Sequence, residues 1–113
     1  MQLLEIQSSV RQERSVSRTL VSKFIYQWQS FHPEVQHQLR DLGQQPPALI
    51  TSEWVAANLT PSENQTDETK ALLAQSDALI AELFAADRIV LGVPMYNFGI
   101  PAHLKAYFDN IIR

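Results

Sequence analysis

The run Ile89-Val90-Leu91-Gly92-Val93 constrains the fold of this chain more than any other stretch. It is apolar and β-branched, without alternation, which is the pattern of a strand buried on both faces in a parallel sheet flanked by helices. Pro94 then ends ladder donation, because it carries no backbone N–H. Met95-Tyr96-Asn97-Phe98-Gly99 follows, too apolar for an ordinary solvated turn. Pro101 suits the first turn of a helix, and Leu104, Tyr107, Phe108, Ile111 and Ile112 recur on one helical face beyond it. The result is an aromatic loop between the carboxyl end of a buried strand and a helix. Open α/β sheets bind ligands at that edge.

The residues before it read as two further strand–helix units. Leu3-Leu4-Glu5-Ile6 predicts a first strand, and Gln7–Ser15 a polar loop. Ser15 or Ser17 caps the following helix, whose stripe is Leu20, Val21, Phe24, Ile25 and Trp28. Phe31-His32-Pro33 ends it, and the alternation across Val35–Arg40 predicts a half-exposed edge strand. Gly43 and Pro46-Pro47 mark a loop before a short helix around Glu53–Asn58. A long helix then starts either at Thr60-Pro61-Ser62-Glu63, a capping-box spacing, or at Thr66-Asp67-Glu68. Its stripe is Leu72, Leu73, Leu79, Ile80, Leu83 and Phe84, and it ends near Ala85. The order β-α-β-α-β-α with right-handed crossovers points to an open, doubly wound α/β parallel sheet in three layers. The three strands are taken in the order 2-1-3. In that order Ile89–Val93 is an apolar edge, and the final helix runs to Arg113 in full amphipathic stride. The expectation is one domain over residues 1–113, cut short at its C-terminus, or a sheet whose edge is covered by association.

Composition removes several classes of function. A formal charge of -3 and a pI near 5.5 give no electrostatic footprint for nucleic acid. The chain has no cysteine, so disulfides, thiolate chemistry and cysteine–zinc sites are excluded. No apolar run reaches membrane-spanning length and no signal-peptide pattern precedes the first strand, which makes the cytoplasm the default expectation. Only three glycines occur, with neither Gly-x-Gly-x-x-Gly nor Gly-Lys-Ser/Thr, so dinucleotide and P-loop readings fail.

A monophosphate seated on serines stays open. Ser9, Ser15 and Ser17 bracket the loop that opens the first helix, whose free amides and roughly +0.5 charge attract an anion. Taken alone, the serine spacing favours a plain helix cap and loop polars. In a 2-1-3 sheet the Met95–Gly99 loop lies beside them, and its amides and apolar side chains suit the edge and faces of a flat heterocycle. Tyr96 and Phe98 also suit loop anchors packed on the core, but the pairing of the two loops favours a ligand.

Gly92-Val93-Pro94-Met95-Tyr96-Asn97-Phe98-Gly99-Ile100-Pro101, with Leu104-Lys105, resembles the signature of the FMN-dependent NADH azoreductases, flavodoxin-like enzymes related to the NAD(P)H quinone reductases. Ser8-Ser9 with Arg14-Ser15-Val16-Ser17-Arg18 resembles their phosphate loop, and Ser76-Asp77-Ala78-Leu79-Ile80 is similar as well. The resemblance runs from the first strand to Arg113. It implies a flavodoxin-like sheet lacking the family's last two strand–helix units, including a glycine-rich loop over the far side of the flavin. It implies FMN as cofactor and NADH as co-substrate, with hydride passed in a ping-pong cycle to a quinone or azo compound. Ser9, Ser15, Val16 and Ser17 would hold the FMN phosphate, and Met95, Tyr96, Asn97 and Phe98 would line the isoalloxazine, with the Asn97 region near its reactive nitrogen. Full-length relatives are dimers with the flavin at the subunit boundary, so a homodimer or larger assembly is expected. No side chain is expected to act as a proton-transferring catalyst, since placement and tuning of the cofactor are the protein's work.

The other polar residues carry less. His32, His37 and His103 are scattered, without metal-ligand spacing, and Asp67, Glu68, Asp77 and Glu82 read as solvated helix charges. Trp28 reads as core, and Trp54 as core or pocket wall. Against the oxidoreductase stand a truncated, catalytically silent relative that keeps the fold or a dimer surface, and a phosphoester hydrolase, which lacks a base paired to any serine.

Overall fold

The structure is a computed structural model that describes residues 1–113. Strand β1 (Gln2–Gln7) pairs in parallel with β2 (Gln36–Asp41) on one side and β3 (Arg88–Gly92) on the other, giving the order β2-β1-β3. The register sets Ile6 beside Arg40 and Leu91, so all three strands end at one level. Between them run α1 (Val16–Phe31), α2 (Ser52–Leu59) and α3 (Asp67–Ala85), and α4 (Ala102–Ile111) follows β3.

Alternation along β1 sorts its side chains into two layers. Leu4 and Ile6 pack with Leu42, Leu79, Leu104 and Tyr107 under α3 and α4, while Leu3 packs with Val21 and Ile25 of α1 on the opposite face. Each fully buried aliphatic side chain contributes roughly 1.5–3 kcal/mol, so the larger cluster under α3 and α4 is the main source of cohesion. β1 is the only strand covered from both sides; its residues Leu3–Gln7 are all buried.

Several boundaries depart from the sequence reading. α3 starts at Thr66, whose hydroxyl accepts from the Thr69 amide in a reciprocal capping box, and the Thr60 candidate instead leads into one 3-10 turn at Ser62–Asn64. The alternative with acids in its first turn prevailed. α4 stops at Ile111 rather than running to Arg113, whose guanidinium turns back to Ser76, Asp77 and Asn58 and lies over the Trp54 ring. Pro101 is the N-cap of α4, one place earlier than expected.

The largest correction concerns β3. It is the edge strand that the order 2-1-3 implies, with Ile89 49% and Leu91 38% exposed, so the apolar run is not buried on both faces as its composition alone suggested. The helical stripes are also half wet, since Leu20, Phe24, Leu72, Phe84 and Ile112 face solvent while Val21, Ile25, Leu73, Leu79 and Leu104 face the sheet. A three-stranded sheet is too narrow to cover both residues of each apolar pair. Two acids read as solvated are paired: Glu82 bonds Arg40, and Asp77 bonds Arg113 at 2.6 Å.

Candidate functional site

At the carboxyl ends of β1 and β3, two loops meet. The β1–α1 loop carries Ser8 to Ser15, and the β3–α4 loop carries Val93 to Pro101. Ser8 fastens the first loop to the end of β3: its hydroxyl and its amide both donate to the Gly92 carbonyl, at 2.6 and 3.2 Å. Higher up, the Val10 amide donates to the Tyr96 hydroxyl at 3.1 Å. These bonds span more than eighty residues of sequence and fix one loop against the other.

Between them opens a cavity of about 340 Å³, lined by Ser9, Arg11, Arg14, Ser15, Val16, Ser17, Leu20, Val93, Pro94, Met95 and Tyr96. One wall is made of hydroxyls and guanidinium groups, the other of apolar side chains. A larger, open depression of about 890 Å³ follows the outer polar face of α1 from Gln12 to Ser30. It is a helix surface without a second wall of apolar side chains. The smaller cavity joins two loops and two chemistries, and it holds the candidate site.

The serines are organised by the start of α1. Ser15 is its N-cap, accepting from the Arg18 amide at 3.3 Å and donating to the Ser9 hydroxyl at 2.9 Å. Ser9 accepts in turn from the Arg11 amide at 3.2 Å, and Ser17 lies 3.4 Å from Ser15. Of the two caps the sequence allowed, Ser15 is the one used. Ser9 and Ser15 are buried, whereas the Ser17 hydroxyl is partly exposed with one weak neighbour.

Asn97 and Phe98 lie beyond the cavity wall. They are the two central residues of a turn closed by paired bonds of 3.0 Å between Tyr96 and Gly99. Both have positive φ, 52° and 63°, the geometry of a type I′ turn. Their amides donate to no backbone carbonyl, and the Phe98 ring is 98% exposed. The structure thus brings Ser9, Ser15, Val16, Ser17, Met95 and Tyr96 around one cavity and leaves Asn97 and Phe98 outside its lining, in the turn that follows Tyr96.

Sequence reasoning quoted Arg18 only as the end of the segment resembling the phosphate loop, gave it no role, and passed over Asp41. Arg18 donates to both Asp41 oxygens at 2.7 and 2.8 Å and to the Ser9 carbonyl at 2.6 Å. Asp41 also accepts from the Gly43 and Gln44 amides, each at 3.1 Å. The Arg18 hydrogen bond, aided by those amides, holds the Asp41 carboxyl below its usual range, and Asp41 raises the Arg18 guanidinium above its own. The position of Arg18, one turn beyond a capping serine, was visible; its partner on β2 was not. His37 bonds Glu5 at 2.7 Å, and Gln7 donates to the same carboxylate at 2.7 Å, a polar cluster on the α1 face of the sheet.

Comparison with known proteins places this geometry. A family model described as the flavodoxin-like fold matches residues 1–113. The FMN-dependent NADH:quinone oxidoreductase of Nostoc punctiforme is 47% identical over 111 residues, covering 98% of this chain and 54% of that protein. An FMN-dependent NADH:quinone oxidoreductase of Idiomarina loihiensis is 45% identical over 118 residues, covering 98% of this chain and 49% of its own length. Among solved structures, the azoreductase AzrA superposes with a TM-score of 0.90 at 24% identity, covering all of this chain and 56% of that one. At that identity the superposition establishes the fold alone. The chain spans about half the length of the curated relatives it matches.

Proposed function

Because the chain belongs to the flavodoxin-like fold family, we propose that residues 1–113 form one domain of an FMN-dependent oxidoreductase. In this reading hydride moves from NADH to quinones or azo compounds. The observation that carries it is the single cavity in which a serine cradle at a helix N-terminus faces an apolar loop wall. The names of the relatives at 45–47% identity support the choice of cofactor and acceptor.

The residues suit a phosphate-bearing flat cofactor. Ser9, Ser15 and Ser17 offer hydroxyls, the first turn of α1 offers free amides, and Arg11 and Arg14 supply positive charge at the same mouth. Val16, Leu20, Val93, Pro94 and Met95 supply an apolar flank that keeps water from a ring face, with Tyr96 tied to Val10 beneath it. The Asn97 and Phe98 amides, free of backbone acceptors, are left to meet the polar edge of the ring. When bound, FMN would supply two-electron hydride exchange, and the chain supplies binding, orientation and exclusion of water. No side chain is assigned a proton-transfer role. A ping-pong order belongs to the same proposal, as does a cytoplasmic setting.

We extend the reading to a homodimer or larger assembly. Ile89 and Leu91 on the sheet edge, Leu20 and Phe24 on α1, and Met95 and Phe98 beside the cavity are exposed apolar groups. Native proteins cover such surfaces. The second reading is a catalytically silent relative that keeps the fold.

Purification decides between them. Protein that is yellow, releases flavin on denaturation and oxidises NADH with a quinone present meets the first reading. Colourless protein whose melting temperature FMN fails to raise meets the second and sinks the first.

A further inference from the structure

We infer that Arg18 and Asp41 form a positioning clamp that sets the serine cradle. The inference rests on the phosphate reading of that cradle and concerns residues that do not themselves hold the ligand. Arg18 is not among the residues that line the cavity, and it spends its two terminal nitrogens on the Asp41 carboxylate and the Ser9 carbonyl. Ser9 is the residue whose hydroxyl joins Ser15 to the Arg11 amide, so fixing its carbonyl fixes the pivot of the cradle.

The clamp has a rigid footing. Asp41 closes β2, and its Oδ1 also accepts from Gly43 and Gln44, which holds the carboxylate in place before Arg18 arrives. Gly43 then lies against the loop so closely that a Cβ there would overlap the Ser9 carbonyl oxygen and come within 2.9 Å of the Arg18 guanidinium. The β2–α2 turn and the β1–α1 loop are thus in backbone contact at the one carbonyl that Arg18 grips. Both side chains are 15% exposed, so the pair is sheltered without being sealed. A planar guanidinium is needed, because two bonds to a carboxylate and a third to a carbonyl demand a fixed fork of donors. An ammonium presents no such fork.

The geometry separates a positioning residue from a phosphate ligand, because the two make opposite forecasts for Asp41→Asn. If Arg18 acts through the loop, loss of the carboxylate slackens the clamp and weakens binding. If Arg18 were itself a phosphate ligand, the same change would release it toward the anion and strengthen binding.

The test compares FMN with riboflavin, which lacks the phosphate, by fluorescence titration of the protein and of its Asp41→Asn and Arg18→Met variants. Arg18→Met keeps the aliphatic stem, and Asp41→Asn keeps the shape, so at least one is expected to fold. Each should lower FMN affinity roughly tenfold and riboflavin affinity less than about twofold, and the double variant should be no worse than the poorer single one. Amide hydrogen exchange of Val10 and Arg11, measured without flavin, should quicken in both variants while β1 stays protected. Tighter FMN binding in Asp41→Asn overturns the inference, as does unchanged exchange at Val10 and Arg11. If exchange quickens but the unaltered protein binds FMN no better than riboflavin, the clamp stands and the phosphate reading falls.

Discussion

Ser15 and Ser17 stand two residues apart, and the structure separates their duties enough for a paired test. Ser15 is buried, caps α1 and donates to Ser9, so Ser15→Ala removes a helix cap together with a cradle hydroxyl. Ser17 is half-buried, and its hydroxyl has only a 3.4 Å approach to Ser15, so Ser17→Ala removes little from the folded chain. Loss of an N-cap costs about 1 kcal/mol, whereas a surface change of the second kind stays within about 0.5 kcal/mol. Against a net stability of roughly 5–15 kcal/mol neither unfolds the protein. A hydrogen bond to a charged phosphate is worth roughly 1.5–3 kcal/mol, about one to two decades in affinity. Ser17→Ala should therefore weaken FMN by at least tenfold with an unmoved melting temperature, and Ser15→Ala should weaken FMN while melting several degrees lower. Thermal denaturation without flavin and fluorescence titration with it supply both numbers. A Ser17→Ala protein that binds FMN as tightly as the parent removes Ser17 from the site. A Ser15→Ala protein that loses only stability reduces Ser15 to a cap.

Tyr107 is 1% exposed with an unpartnered hydroxyl, and burial, aided by Glu82 and opposed by Arg40, pushes its pKa up to about 12. Below pH 10 both states keep the proton; between about 10 and 12 the unfolded state loses it first, so stability should fall by roughly 2–3 kcal/mol, and Tyr107→Phe should abolish that fall in a pH series of denaturant melts. Phe98→Gly should raise stability by about 1 kcal/mol, because a glycine adopts positive φ without strain, while flavin-dependent NADH oxidation declines; a destabilised variant would contradict the turn geometry. Light scattering at micromolar concentration should report at least twice the 12.9 kDa chain mass, and a well-folded monomer would overturn the proposed assembly.

The elements were legible because periodicity and caps are local. Ser15, Thr66 and the Pro101 start of α4 each announce a helix in the residues beside them, and β1, β2 and β3 fall within a residue or two of their apolar runs. Parallel pairing followed from the β-α-β alternation, and the order β2-β1-β3 is the one that the flavodoxin-like resemblance implied. Exposure was not legible. Leu20 beside Val21, and Phe24 beside Ile25, are equivalent in a helical pattern, and only the width of the sheet beneath decides which of each pair is covered. For Ile89 and Leu91 the apolar run alone suggested burial while the strand order implied an edge, and the order prevailed, because burial is a property of the neighbours. Ion pairs were invisible for a related reason. Arg18 with Asp41 and Arg40 with Glu82 join residues on different elements, and no sequence spacing encodes their meeting.

The backbone itself marks where this chain departs from the rules of a stability-driven design. Arg14, Asn97 and Phe98 are its non-glycine residues with positive φ, and all three lie in the two loops that bound the cavity. No glycine has positive φ, although such conformations suit glycine at no steric cost. For Asn97 the choice is mild, since a short amide side chain tolerates the left-handed region. For Arg14 and Phe98 it is not, and such residues hold strain of order 1–3 kcal/mol each. Glycine at either place would relieve that cost, so what the chain retains by refusing it is the side chain. Arg14 sets a guanidinium on the cavity wall beside the serines, and Phe98 holds an aromatic ring fully in solvent at the tip of a turn. Neither contributes to the core. Strain concentrated in both loops, with the Arg14 charge on the cavity wall and the Phe98 ring exposed beyond it, marks loop residues kept for something other than the core.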